Sequence, residues 1–157
     1  MRNLITYSGY RKLLGDLHHY QTVIRPQVIK ELENARGFGD IKENAEYNYA
    51  KDRQAQVEGK IVKLNEYISS CEVIDVNISP LNGKIGFGTK VMIENVDSGE
   101  RKVYQLVGET ESDIKAGKLN YLSPLGRALI GREAGEDAEV ETPSGGEMFW
   151  EIIKIVD

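Results

Sequence analysis

Two long stretches with a helical apolar period, joined by a short glycine-bearing connection and with no third such stretch to cover them, constrain this chain more than any other feature. From about Ser8 to Arg36, the residues Tyr10, Leu13, Leu17, Tyr20 and Ile24 recur at steps of 3, 4, 3 and 4. That spacing puts them on one seam of a helix. Val28, Leu32 and Ala35 continue the seam after an extra step of four near Pro26. The stutter, next to a proline that cannot donate to the helical ladder, predicts a mild kink. Thr6 or Ser8 suits the N-cap, and Gly37 and Gly39 end the helix. The second run starts near Lys42–Ala45 and lasts to about Cys71, with Val57, Ile61, Leu64, Ile68 and Cys71 as its seam. At 1.5 Å per residue, each run of about 28 residues spans roughly 42 Å. The short connection makes the two helices antiparallel neighbours, a coiled-coil hairpin that holds its tip far from the rest of the chain.

The remainder has a different character. Of the 16 glycines, 11 lie after residue 76, as do three of the four prolines. Residues 1–76 carry 11 basic and 11 acidic side chains, whereas 77–157 carry 9 and 14, so the whole net charge of −5 falls in the second half. Short β-like runs occur at Lys90–Val96, Lys102–Val107, Ala138–Thr142 and Met148–Val156. Asp97-Ser98-Gly99 and Pro143-Ser144-Gly145-Gly146 supply hairpin turns. Ser123 to Gly131 reads as one short helix, with Ser123 as N-cap, Pro124 in the first turn and Gly131 as stop. Phe149, Trp150, Ile152 and Ile153 are core candidates. The expected architecture is an α+β chain of two domains: an antiparallel helical hairpin over 1–76, and a small antiparallel sheet with one short helix over 77–157.

Composition excludes several classes. The single cysteine, Cys71, rules out an intrachain disulfide and a Cys-rich zinc site, and it reads as a small buried hydrophobe. His18 and His19 are adjacent, which leaves no multi-His metal site. No apolar run approaches 18 residues, so no membrane span is expected and the chain reads as soluble and cytoplasmic. A net charge of −5 argues against coating nucleic acid by bulk charge.

The residues that carry chemistry gather at the hairpin tip. Asp40 and Glu43 stand three apart at a helix start, where their carboxylates converge. That spacing is first of all a capping box, with Asp40 as N-cap and Glu43 reaching back. The same pair of hard oxygen donors suits Mg²⁺, which takes few protein ligands and keeps several waters. Arg36, Lys51 and Arg53 lie nearby and form either a solvated charged face, offset by Glu46 and Asp52, or a small basic patch for phosphates. Tyr47 and Tyr49 either pack the hairpin end or stack on a base.

The run Ala35-Arg36-x-x-Gly39-Asp40-Ile41-Lys42-Glu43-Asn44-Ala45-Glu46-Tyr47 closely resembles the tip motif of the bacterial Gre transcript cleavage factors. Ser123-Pro124-Leu125-Gly126-Arg127-Ala128-Leu129-Ile130-Gly131-Arg132 resembles the family's second signature. Val73-Ile74-Asp75-Val76 and Thr142-Pro143-x-Gly145-Gly146 also match, so the resemblance covers essentially the whole chain. Departures are Ile41 where Leu is usual, Asn34 where an acidic residue is usual, and Arg132 where Lys is common.

The resemblance implies an N-terminal coiled coil and a C-terminal domain of FKBP-like fold. It implies a monomer that binds RNA polymerase, inserts the coiled coil through the secondary channel and stimulates the polymerase's own cleavage of backtracked RNA, without being an enzyme itself. Asp40 and Glu43 would be the catalytic pair that helps hold a second Mg²⁺ in the polymerase site. Arg36 and Lys51, with Arg53 as neighbour, would meet the displaced RNA 3′ segment, a patch of the smaller kind found in the family. Ser123 and Pro124 would sit in the loop that docks on the channel rim.

Two other classes compete. A channel-binding inhibitor of the same fold is disfavoured by the intact Asp40/Glu43 pair. A stand-alone prolyl isomerase would need an aromatic-lined pocket. The second half offers few aromatics for one: Phe87, Tyr104, Tyr121, Phe149 and Trp150, before the core takes its share.

Overall fold

The computed structural model describes residues 2–37, 45–76 and 83–156. The tip segment 38–44, with Asp40 and Glu43, and the junction 77–82 lie outside the described residues. The chain forms two compact units, Tyr10–Ser70 and a discontinuous one made of Met1–Gly9 with Cys71–Asp157.

The first unit is the expected hairpin. Helix α1 (Tyr7–His19) runs into a π-helical turn at Tyr20–Ile24, then α2 (Arg25–Arg36), and α3 (Ala45–Ser70) returns. The stutter is absorbed by the π turn: the Arg25 N–H donates to the Tyr20 carbonyl, five residues back. A π turn holds one more residue than an α turn, which matches the extra step of four in the seam and puts the irregularity just before Pro26. Val28, Val57 and Ile61 form the buried centre, packed by Leu17, Tyr20 and Ile24. Leu13, Leu32, Ala35, Ala50 and Leu64 are buried as well, so nearly every seam residue inside the helices packs as its spacing requires.

Two ion pairs bridge α2 and α3. Arg25 forks onto Glu58 at 2.7 and 2.8 Å, and Arg53 Nη1 donates to both Glu31 oxygens at 2.8 Å. The Arg25 hydrogen bond holds the Glu58 carboxyl below its ordinary pKa. These pairs set antiparallel register, and being partly exposed they add at most about 1 kcal/mol each. Gly59 lies exposed in the interior of α3, and a Cβ there would meet nothing within 4 Å. Gly59→Ala is therefore expected to raise stability by about 0.5–1 kcal/mol, because alanine loses less backbone entropy in a helix. Urea unfolding followed by circular dichroism checks this; a destabilised variant would contradict open helical surface at that position.

In the second unit, β1 (Asn3–Thr6) and β2 (Cys71–Ile74) pair in parallel. A parallel pair needs a crossover connection, and here the crossover is the helical hairpin sequence. Both strands fall on the N-terminal side of the 76/77 division read from the sequence. Cys71 continues the heptad spacing, yet it opens β2 instead of ending the helix, and it is half-buried. Its thiol pKa is raised by partial burial and then by the Glu111 charge.

The main sheet comprises β3 (Lys90–Asn95), β4 (Arg101–Val107), β5 (Lys118–Asn120), β6 (Asp137–Glu141) and β7 (Glu147–Val156) in the order β5-β4-β3-β7-β6. All neighbours are antiparallel except β4 and β5. The four longer strands lie where their alternation places them; β5, only three residues long, carries no legible pattern. Asn95 Oδ1 accepts from the N–H groups of Asp97 and Ser98, and Gly99 supplies the positive φ of +73° that closes the β3–β4 turn. One face of the sheet buries Val91, Ile93, Tyr104, Leu106, Ala138, Trp150 and Ile152 with Leu129. Helix α4 (Pro124–Leu129) supplies Leu129 and packs near β6. The register between β3 and β7 shifts between Met92 and Ile93, which pair with Lys154 and Ile152 and leave Ile153 as the bulged residue. The bulge reconciles two consecutive isoleucines with a strand that has one buried face. Phe149, expected in the core, is 38 % exposed, because Trp150 takes the inward position next to it.

Candidate functional site

Arg36 is the last residue of α2, and Gly37 caps it with its N–H on the Asn34 carbonyl. Tyr47 and Lys51 are one turn apart near the start of α3, on one face. The structure brings three of these side chains together: the Arg36 guanidinium carbon and the Lys51 ammonium each lie 5.8 Å from the centre of the Tyr47 ring. Two like charges repel, and the negative face of a half-buried ring offsets part of that cost. The result is a paired cation on an aromatic post at the end of the hairpin, suited to a phosphate. Arg53 is not part of this group. Its charge is matched in place by Glu31, and it stands on the other flank of α3. Sequence spacing reveals the Tyr47–Lys51 half of the cluster; the Arg36 half depends on how α2 and α3 face each other. Asp40 and Glu43 lie outside the described residues, and among the described residues no group of three or more potential metal-ligating side chains occurs.

The second candidate surface is the start of α4. Ser123 caps the helix as its sequence position predicts: its Oγ accepts the Gly126 N–H at 3.1 Å and donates to the Asn120 carbonyl at 2.7 Å. Asn120 Oδ1 accepts from the Leu122 N–H at 2.9 Å. Gly126 is buried so closely that a Cβ there would lie 2.4 Å from the Asn120 carbonyl oxygen. The 120–124 loop is thus held by hydrogen bonds and close packing, with Pro124 exposed at its outer end.

One element of this unit escapes sequence reading altogether. Glu111 accepts from the Thr6 N–H at 3.0 Å, from the Thr6 hydroxyl, and from the Gly108 N–H at 2.9 Å. Thr6 in turn caps α1 by accepting the Gly9 N–H at 3.1 Å. Tyr121 completes the anchoring of β1 by accepting the Leu4 N–H at 3.1 Å.

A helical hairpin with paired cations at its end, and a sheet domain with a rigid exposed loop, define a two-part protein whose candidate sites are surfaces. Comparison with known proteins gives the family. Residues 3–73 match the model for "Transcription elongation factor, N-terminal", and 80–157 match "Transcription elongation factor, GreA/GreB, C-term". The transcription elongation factor GreA of Verminephrobacter eiseniae is 48 % identical over 141 residues, covering 90 % of this chain and 89 % of that protein. The GreA of Pseudomonas aeruginosa is 43 % identical over 151 residues, covering 96 % and 95 %. Among solved structures, the GreA factor homolog 1 (Gfh1) of Thermus thermophilus aligns over the full length of both chains at 25 % identity with a TM-score of 0.43. The chain belongs to the GreA/GreB family of transcription elongation factors. Among the described residues, no helix is long and apolar enough to cross a membrane.

Proposed function

We propose that this protein binds bacterial RNA polymerase as a monomer, inserts its hairpin into the secondary channel, and stimulates the polymerase's own Mg²⁺-dependent cleavage of the 3′ end of backtracked RNA. It adds no nuclease of its own. The observation that carries the reading is the Arg36–Tyr47–Lys51 cluster at the end of the hairpin, in a chain whose two halves both match the family. A displaced RNA segment presents phosphates, and two cations preassembled on one ring meet them without first paying to be brought together.

Asp40 and Glu43 are the residues that would help hold the metal. Two carboxylates are hard anionic donors and too few to bind Mg²⁺ tightly alone, which suits an ion shared with the polymerase site. When bound there, such an ion activates water and offsets charge in the transition state. The chain's own contribution is to carry the two carboxylates on a hairpin, to hold the RNA phosphates with Arg36 and Lys51, and to dock through Ser123 and Pro124. Arg53 serves as support, since Glu31 already neutralises it.

The test is incubation of a backtracked elongation complex with the protein and Mg²⁺, scored by released RNA fragments. Absence of stimulation with the wild-type chain, under conditions where it co-sediments with polymerase, would favour an inhibitor of the same fold. Pro124→Glu checks the docking loop. It is expected to weaken polymerase affinity at least about tenfold while costing roughly 1 kcal/mol or less of stability, since Pro124 is exposed and only stiffens the first helical turn. Unchanged affinity would remove this loop from the interface.

A further inference from the structure

Tyr47 and Tyr49 stand on opposite flanks of the buried Ala50, as a rotation of about 100° per residue requires. The Tyr47 flank is cationic. The Tyr49 flank borders a cavity of about 560 Å³ between α2 and α3. Ala35, Ala45 and Ala50 line it with methyl groups; Ala35 and Ala50 are each only 3 % exposed. Such short side chains at a helix–helix seam leave the hollow. Tyr49 borders it and is 67 % exposed, a large aromatic surface that the hairpin's own packing does not use.

The charges of the lining decide what fits. Arg53 and Glu31 border the cavity but neutralise each other, with Nη1 on both carboxylate oxygens. Glu46 also borders it, and among the described residues no cation pairs with it. Among the described residues the lining is therefore net anionic, aromatic on one wall and methyl-lined beneath. A phosphate is repelled from such a place. A guanidinium is matched by it: the plane stacks on tyrosine, the fork meets a carboxylate, and the aliphatic stem covers the methyl groups. We infer that this cavity receives an arginine side chain projecting from a partner protein. The hairpin end then has two faces of opposite preference, one for phosphate and one for a basic protein side chain. The inference stands on the cavity itself and holds whether or not the polymerase reading does.

The test is a ¹H–¹⁵N titration of the full chain with N-acetyl-arginine methylamide. Saturable shifts are expected at the amides of Glu46, Tyr49 and Ala50, with a dissociation constant on the order of millimolar for a lone side chain. Tyr49→Ala and Glu46→Gln should each weaken binding roughly fivefold, the loss of one cation–π or one charged contact. Both side chains are exposed, and an unchanged helical circular dichroism spectrum confirms that the variants fold. The N-acetyl-leucine analogue should produce no shifts at these amides. Absence of saturable shifts, indifference to both substitutions, or equal binding of the leucine analogue would each overturn the assignment.

Discussion

Replacing Asp40 by Asn together with Glu43 by Gln is expected to lower transcript cleavage by about 10²-fold or more at ordinary Mg²⁺, the scale seen when one preorganised charge is removed from a reacting centre. These substitutions separate metal holding from capping. Asn caps a helix about as well as Asp, and Gln completes a capping box as Glu does. A pure capping role therefore predicts a loss of a few tenths of a kcal/mol in stability and normal cleavage. A metal-holding role predicts a folded protein that binds polymerase with nearly unchanged affinity and fails to stimulate. Raising Mg²⁺ should restore part of the rate, because the defect lies in ion occupancy. Full cleavage by the double variant would leave the two carboxylates as caps.

Glu111→Ala should cost about 3 kcal/mol of unfolding free energy, the largest stability effect anticipated for a surface-accessible side chain here. One carboxylate accepts three hydrogen bonds, two of them from backbone N–H groups at Thr6 and Gly108. A hydrogen bond to a charged group contributes about 1.5–3 kcal/mol, and donors left without a partner add to the loss. The full sum is not expected, because Glu111 is only half-buried and water replaces part of what is lost. Glu111→Gln keeps one good acceptor and should lose about half as much. Urea denaturation gives the free energies, and hydrogen exchange at the Thr6 and Gly108 amides locates the loss. A change below about 0.5 kcal/mol for Glu111→Ala would show that water replaces the carboxylate at little cost. The packing at Gly9 is equally tight: a Cβ there would sit 2.3 Å from the Glu111 carboxyl carbon. A side chain at position 9 would therefore displace the carboxylate from Thr6.

The hairpin was legible from spacing because apolar period is a local property: residues three and four apart share a helix face whatever the rest of the chain does. The same holds for the Ser123 cap, the Gly99 turn and the four longer strands, each specified by neighbours within a few positions. The Asp40/Glu43 reading rests on the same local spacing, and it lies outside the described residues. The π turn at Tyr20–Ile24 was half legible. The extra step of four announces an irregularity, and the π turn takes it up directly before Pro26.

What the tertiary structure decided involves partners far apart in the chain. β1 and β2 are four residues each, too short to display a period of two against background, and they pair across the whole hairpin. Glu111 meets Thr6 from 105 positions away, and nothing local distinguishes it from Glu109. Among the three cations near the tip, residue type and spacing treat Arg36, Lys51 and Arg53 alike. Only the packing of α2 against α3 sets Arg36 and Lys51 on one ring and gives Arg53 to Glu31. Long side chains reach several ångströms in any of several rotamers, so their partners are chosen by which backbone happens to face them. The helix positions that present them were determined by the sequence alone, and the choice of ring or carboxylate was made by the fold.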